Sequence, residues 1–215
     1  GLPASELTKP EYAPVNNSCI WGLYVYPEWN QKAKGSVQEG SVPQGTIVKP
    51  QVIMNYAEVC LLKAEAALRG WAGAGDAKEN YIAGIRASFD EARAGVSASL
   101  YSTAADDAYI NGGDVKWDAA ASFETKLKQI ITQKWIGIYP NGTEAWTEFR
   151  RTGYPALAPV VQSDNELIKA GEFIKKFRYI DDERNLNHYS KESSLNQGKG
   201  DGQNVRVWWD TNRYN

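Results

Sequence analysis

The chain has 215 residues, with 24 Lys and Arg against 26 Asp and Glu and a net charge of −2. That balance, with no basic tract, leaves no electrostatic footprint for nucleic acid, and the sequence lacks the run of about eighteen apolar residues that a membrane-spanning helix requires. A chain of this length buries a sizeable core as one domain or as two small ones. Its eight Trp and twelve Tyr exceed what such a core takes, and rings with a polar handle favour half-exposed binding surfaces.

Residues 1–50 carry Pro3, Pro10, Pro14, Pro27, Pro43 and Pro50 among many Gly, Ser and Asn, a composition that predicts irregular backbone with short strands. The opening, GLPASELTKPEYAP, has neither an initiator Met nor a signal peptide and reads like the middle of a larger protein. Within this region, Leu23 and Val25 alternate with Tyr24 and Tyr26, a period-2 pattern that predicts a strand. Trp21 and Trp29 flank it. These four rings have two readings: a stacking platform for the C–H faces of sugar rings, or a strand whose rings fill the seam between loops and helices.

Residues 51–95 predict a helical hairpin. In its first helix Ala57, Leu61, Ala64 and Leu68 recur at helical period, and Cys60 and Ala67 widen the stripe. Glu65 and Arg69 stand four apart in the favourable order for a solvated ion pair, and Gly70 supplies a stop. Asp76 is the expected N-cap of the second helix, with Glu79 three residues on. Tyr81, Ile85, Phe89 and Ala92 mark its buried side, and Gly84 and Ala87 permit a close helix approach. Trp71, in the connecting turn, is either a further ligand contact or a cap over the helix ends. A hairpin with small residues at its contact suits one unit of a tetratricopeptide-type stack, and the chain holds no convincing second copy.

Residues 96–121 are small and polar without sustained period, which predicts a connecting excursion with at most short turns. Asp106, Asp107, Asn111, Asp114 and Asp118 lack the alternating oxygen spacing, the glycine and the terminal Glu of a calcium loop, so they read as solvated loop. In residues 122–155, Phe123, Leu127, Ile130, Ile131, Trp135 and Ile138 define an amphipathic helix that ends at the turn Pro140-Asn141-Gly142. A short helix follows, with Thr143 as cap, Trp146 and Phe149 facing inward, Arg150 and Arg151 in its last turn and Gly153 as stop. Residues 156–215 form a loop-rich tail. Within it 181–189 predict a short helix, 193–204 read as flexible, and Val205, Val207 and Trp209 alternate with Arg206 and Trp208 as a closing strand.

Converging catalytic groups are missing from the pattern. The single histidine, His188, sits between Asn187 and Tyr189 in a polar stretch and reads as a surface residue. No nucleophile elbow, zinc-spaced Cys/His set, phosphate-cradling loop or dinucleotide fingerprint is present. Cys19 and Cys60 are too far apart in sequence for spacing to argue a disulfide, and Cys60, on an apolar helix face, reads as a small core residue. A carboxylate pair for glycoside hydrolysis would leave no local signature. Three readings therefore stand: a glycan- or peptide-binding protein, a helical scaffold for other proteins, and a carbohydrate-active enzyme.

Three blocks narrow these. YAEVCLLKAEAALRGW, YIAGIRASFD and IITQKWIGIYPNGTEAWTEFRRTGYPAL, in that order and spacing and followed by a closing VWWD, resemble the SusD/RagB superfamily in its SusD-like nutrient-binding branch. The resemblance covers most of residues 1–215 as the C-terminal part of one SusD-like domain. FRYIDDERNLN departs from the family's pattern. Arg178, Tyr179, Glu183 and Asn187 fit it, but Ile180 replaces a proline. The resemblance implies a mainly α fold, with a tetratricopeptide-type helix pair, loop-rich segments and a few short strands. It implies no catalysis and no cofactor, a lipid anchor upstream of this stretch, and a place on the outer face of the outer membrane. It also implies delivery of glycans or peptides to a SusC-like TonB-dependent transporter. Trp21, Tyr24, Tyr26, Trp29 and Trp71 are the expected ligand contacts. Arg150 and Arg151 are expected to tie loop carbonyls or acids.

Overall fold

The computed structural model describes residues 52–94, 101–159, 161, 163–180 and 200–211. The chain divides into two units, Gly1–Ile53 and Met54–Asn215; of the first, only Val52 and Ile53 are described. The predicted strand over Leu23–Tyr26 and the helix expected over 181–189 lie outside the described residues.

Helix α1 runs Tyr56–Leu68. Asn55 caps it, its Oδ1 accepting from the Glu58 N–H at 2.7 Å, while its Nδ2 donates to the Gly137 carbonyl at 2.8 Å. One side chain thus starts this helix and ties it to a helix eighty residues later in the chain. The apolar stripe predicted from period lands inside: Ala57, Cys60, Leu61 and Ala64 are buried, and Leu68 is half-buried. Helix α2, Ala77–Ala92, starts at Asp76, whose Oδ1 accepts from the Glu79 N–H at 2.8 Å. Tyr81 and Ile85 are buried and Phe89 packs against the core, but Ala92 is exposed because α2 ends there. Gly84 is where the two helices touch. A Cβ at that position would stand 2.5 Å from Leu61 Cγ, well inside carbon–carbon contact, so the leucine fills the space that a side chain would need.

The excursion is more ordered than its composition predicts. Helix α3, Thr103–Ile110, and a single 3-10 turn, Gly113–Val115, occupy it. Asp106 is correspondingly not a solvated loop residue: it is buried in α3 and ion-paired to Arg93, the C-cap of α2. Asp107 meets Arg86 at 2.7 Å. Ile110 enters the core with Leu61, Ala64, Tyr81, Ile85 and Ile130. An eight-residue helix with one deep apolar anchor has no repeat for a period search to find; tertiary contacts hold it instead. At the end of the 3-10 turn, the Tyr81 hydroxyl donates to the Val115 carbonyl at 2.8 Å, and just past it the Trp117 ring lies 5.2 Å from the Tyr81 ring.

Helix α4, Phe123–Gly137, is capped by Ser122 and lays Leu127, Ile130 and Ile131 into the core. It packs against both α1 and α2, so the hairpin's remaining apolar face is covered by a third helix and not by a second hairpin. Helix α5, Gly142–Thr152, has Asn141 as its N-cap, accepting from the Glu144 N–H at 3.2 Å. Thr143, the cap expected from the sequence, lies inside the helix. Gly153 ends α5 with φ +78°, a left-handed turn that glycine adopts without a Cβ clash.

Among the described residues there is no strand. The alternation over 205–209 does not build the closing strand it predicts. Turns from Val205 N–H to the Gly202 carbonyl and from Asp210 N–H to the Val207 carbonyl, both at 3.1 Å, fold this segment locally. No neighbouring strand pairs with it among the described residues, and alternation specifies sidedness without supplying a ladder partner. Only the two indoles keep the predicted sides: Trp208 is 88% exposed, while Trp209 turns in against α5; Arg206 is half-buried like Val205 and Val207.

Candidate ligand-contact surface

Helix α5 is seated by charge. Lys134, on α4 and 1% exposed, donates to Glu144 Oε1 at 2.9 Å and Glu148 Oε1 at 2.8 Å, both on α5, and lies 3.6 Å from Glu58 on α1. Arg151 forks onto both carboxylate oxygens of Glu65 at 2.7 and 2.6 Å and also reaches Glu148 at 2.6 Å. Arg69 reaches Glu65 from its own helix at 2.9 Å. The Glu65–Arg69 pair expected on a solvated face is therefore part of a three-residue bridge whose carboxylate is buried and whose two guanidiniums reach solvent, because Arg151 arrives from eighty-six residues away. Burial pushes the Glu65 carboxyl up, but the hydrogen bonds from Arg151 and Arg69 outweigh it and hold the group below its ordinary value. Lys134 is pushed down by burial and, more strongly, up by Glu148 and Glu144, so it stays charged.

Seated this way, α5 turns its other side to the tail. The Arg150 guanidinium lies 3.6 Å from the Trp146 ring centroid and 4.6 Å from that of Trp209, a cation held between two indoles. Its Nη1 donates to the Lys175 carbonyl at 2.9 Å, and Trp146 Nε1 donates to the Ile174 carbonyl at 3.2 Å. Phe177 meets Trp146 at 4.9 Å and Phe173 meets Phe149 at 4.8 Å. Behind this loop, Lys176 pairs with buried Asp201, which also accepts from the Tyr179 N–H. Arg150 and Arg151 thus do what the sequence expects of them, one binding a loop carbonyl and the other two acids.

Of the five ring contacts named from the sequence, only Trp71 falls among the described residues; Trp21, Tyr24, Tyr26 and Trp29 lie outside them, as do His188 and Cys19. Trp71 is 67% exposed. Its N–H closes the end of α1 on the Ala66 carbonyl at 3.0 Å, while the ring stands in solvent at the hairpin turn. Phe177, at 73%, and Trp208, at 88%, are also open, Phe177 with one edge against Trp146; the sequence does not mark either as a ligand contact, since exposure of a ring in a loop has no periodic signal. Cys60 is buried on α1 as expected. Among the described residues no three His, Cys, Asp or Glu side chains gather as a metal site. The closely grouped acids Glu58, Glu144 and Glu148 surround an ammonium and do not face one another across a cleft.

The described residues thus form a helical frame with exposed rings borne on its loops. The sequence matches the family described as SusD-like, the SusD and RagB outer membrane lipoproteins, over residues 13–210, and the chain belongs to that family. Among solved structures it is similar to a chitin-binding SusD homolog from Flavobacterium johnsoniae. The identity is 39% and the TM-score 0.61, over 74% of this chain and 36% of that one. A SusD homolog from Bacteroides thetaiotaomicron is 36% identical with a TM-score of 0.63, over 77% and 40% of the two chains. A further chitin-binding protein is 35% identical with a TM-score of 0.61, over 73% and 33%. The chain thus spans well under half the length of these relatives. No curated protein matches it.

Proposed function

We propose that this chain belongs to a non-catalytic protein on the outer face of the outer membrane, lipid-anchored upstream of this stretch, that captures a glycan for import by a SusC-like TonB-dependent transporter. The observation that carries the reading is family membership together with relatives that bind chitin. The exposed Trp71 ring, at the hairpin turn, supports it: a flat apolar face with an N–H at its edge suits the alternating C–H faces and hydroxyls of a pyranose. Trp21, Tyr24, Tyr26, Trp29 and Trp71 are the proposed contacts. The chitin-binding relatives favour a glycan over a peptide as cargo.

Calorimetry of the 215-residue chain against a panel of soluble oligosaccharides, beginning with chitooligosaccharides, tests this. Binding heat that weakens about tenfold, or about 1.4 kcal/mol, in Trp71→Ala or in a Trp21→Ala/Trp29→Ala pair supports the reading. Heat with peptides and none with glycans moves the cargo to peptide. Shortened oligosaccharides on chromatography after prolonged incubation would show an enzyme and overturn it.

A further inference from the structure

The seat of α5 does not balance. Among the described residues, Glu58, Glu65, Glu144 and Glu148 share Lys134, Arg69 and Arg151, four carboxylates against three cations. Three of the four have a cation within 2.9 Å. Glu58 is only 5% exposed, yet its nearest cation among the described residues is Lys134 at 3.6 Å, and that ammonium is already committed to two closer acids. We propose that this joint is a proton-accepting seat: Glu58 takes up a proton in mild acid, and α5 is thereby held more firmly on α1 and α4.

The groups that face Glu58 argue in both directions. From α4, Lys134 favours its charge. The first turn of α1, where Glu58 sits, favours a negative group through the helix dipole. Against these stand burial and the two α5 acids, Glu144 and Glu148, whose charges repel it. Glu144 is one-third exposed and therefore partly screened, whereas Glu148 is buried. Burial comes first and wins, so the carboxyl is held above its ordinary value of 4.5. Once protonated, Glu58 becomes a hydrogen-bond donor, stops repelling α5 and leaves Lys134 wholly to it.

The linkage has a definite sign. A folded-state value above the unfolded one means that the native chain binds more protons than the unfolded chain as pH falls from neutral towards 4.5, so this group adds stability over that window. Glu65 behaves oppositely. Held below 4.5, its contribution is complete above that value and is lost as pH falls through its lowered folded value. The joint therefore tightens in mild acid before strong acid opens it.

Carboxyl NMR on the full chain carrying Glu labelled at Cδ tests this directly. One resonance, absent in Glu58→Gln, should titrate with a midpoint above 4.5; a midpoint at or below that value overturns the proposal. Hydrogen-exchange protection of α5 amides, corrected for intrinsic rates, should rise from about pH 7 to about pH 5 in the wild type and show no such rise in Glu58→Gln. A rise that persists in the variant places the proton elsewhere and is equally fatal. Should Glu58→Gln fail to fold, through-bond assignment of the wild-type carboxyl gives the deciding midpoint. None of these readouts depends on the ligand.

Discussion

The hairpin and helix α5 are held to the same core by opposite physics. Between α1 and α2 the contact is apolar and close, with Leu61 seated in the space left by Gly84 and Tyr81 and Ile85 buried beside it. Between α5 and its neighbours it is ionic, with Lys134 and Arg151 threaded among four glutamates. Apolar packing degrades gradually as volume is lost or forced in. A buried ionic joint fails abruptly when one partner is removed, because the other is left charged and unpaired.

The sharpest way to break the comparison is therefore at Lys134. Lys134→Met should cost about 3–5 kcal/mol, read by chemical denaturation, and a partial recovery on adding Glu148→Leu would identify the uncompensated acid as the source of the loss. Gly84→Ala is the matching test of the apolar side. The new Cβ must displace Leu61 or part the helices, at about 1–3 kcal/mol. If Gly84→Ala proves as costly as Lys134→Met, the contrast fails. Removing the α5 cap with Asn141→Ala should lower stability by about 1 kcal/mol, with lost protection concentrated at the start of α5. Acid should unfold the protein as Glu65 takes a proton below its ordinary range, so Glu65→Gln should be less stable than wild type at neutral pH and lose less on acidification. Smallest of all, Arg86→Ala removes an ion pair whose two side chains are each about half exposed, and stability by chemical denaturation should fall by less than about 1 kcal/mol.

The same contrast explains what could be read in advance. The hairpin, α4 and α5 are legible because a buried helix face repeats every three to four residues, and that repeat is written in Ala57, Leu61, Ala64, Ile85, Leu127 and Ile131. Helix α3 is not, since Ile110 alone anchors it and the rest of its hold comes from Arg93 and Arg86 on another helix. For the site, the roles of Arg150 and Arg151 were legible in kind but not in their partners. Trp71 could be located in a turn, yet its openness to solvent could not be deduced. Phe177 carried no signal, and Trp208 was marked only as the far side of an alternation that builds no strand.

By itself, the order of residues determined the hairpin, α4 and α5, the caps at Asp76 and Gly153, the burial of Cys60 and membership of the SusD-like family, because each depends on neighbours within a few turns or on an unbroken block of side chains. Tertiary structure alone decided that Glu65 would be buried beside Arg151, that Arg150 would lie between Trp146 and Trp209, and that the segment around Val205 would fold into turns and not a strand. Those outcomes join groups up to eighty-six residues apart. Attraction between charges and rings depends on distance in space, which the local pattern of a chain does not record.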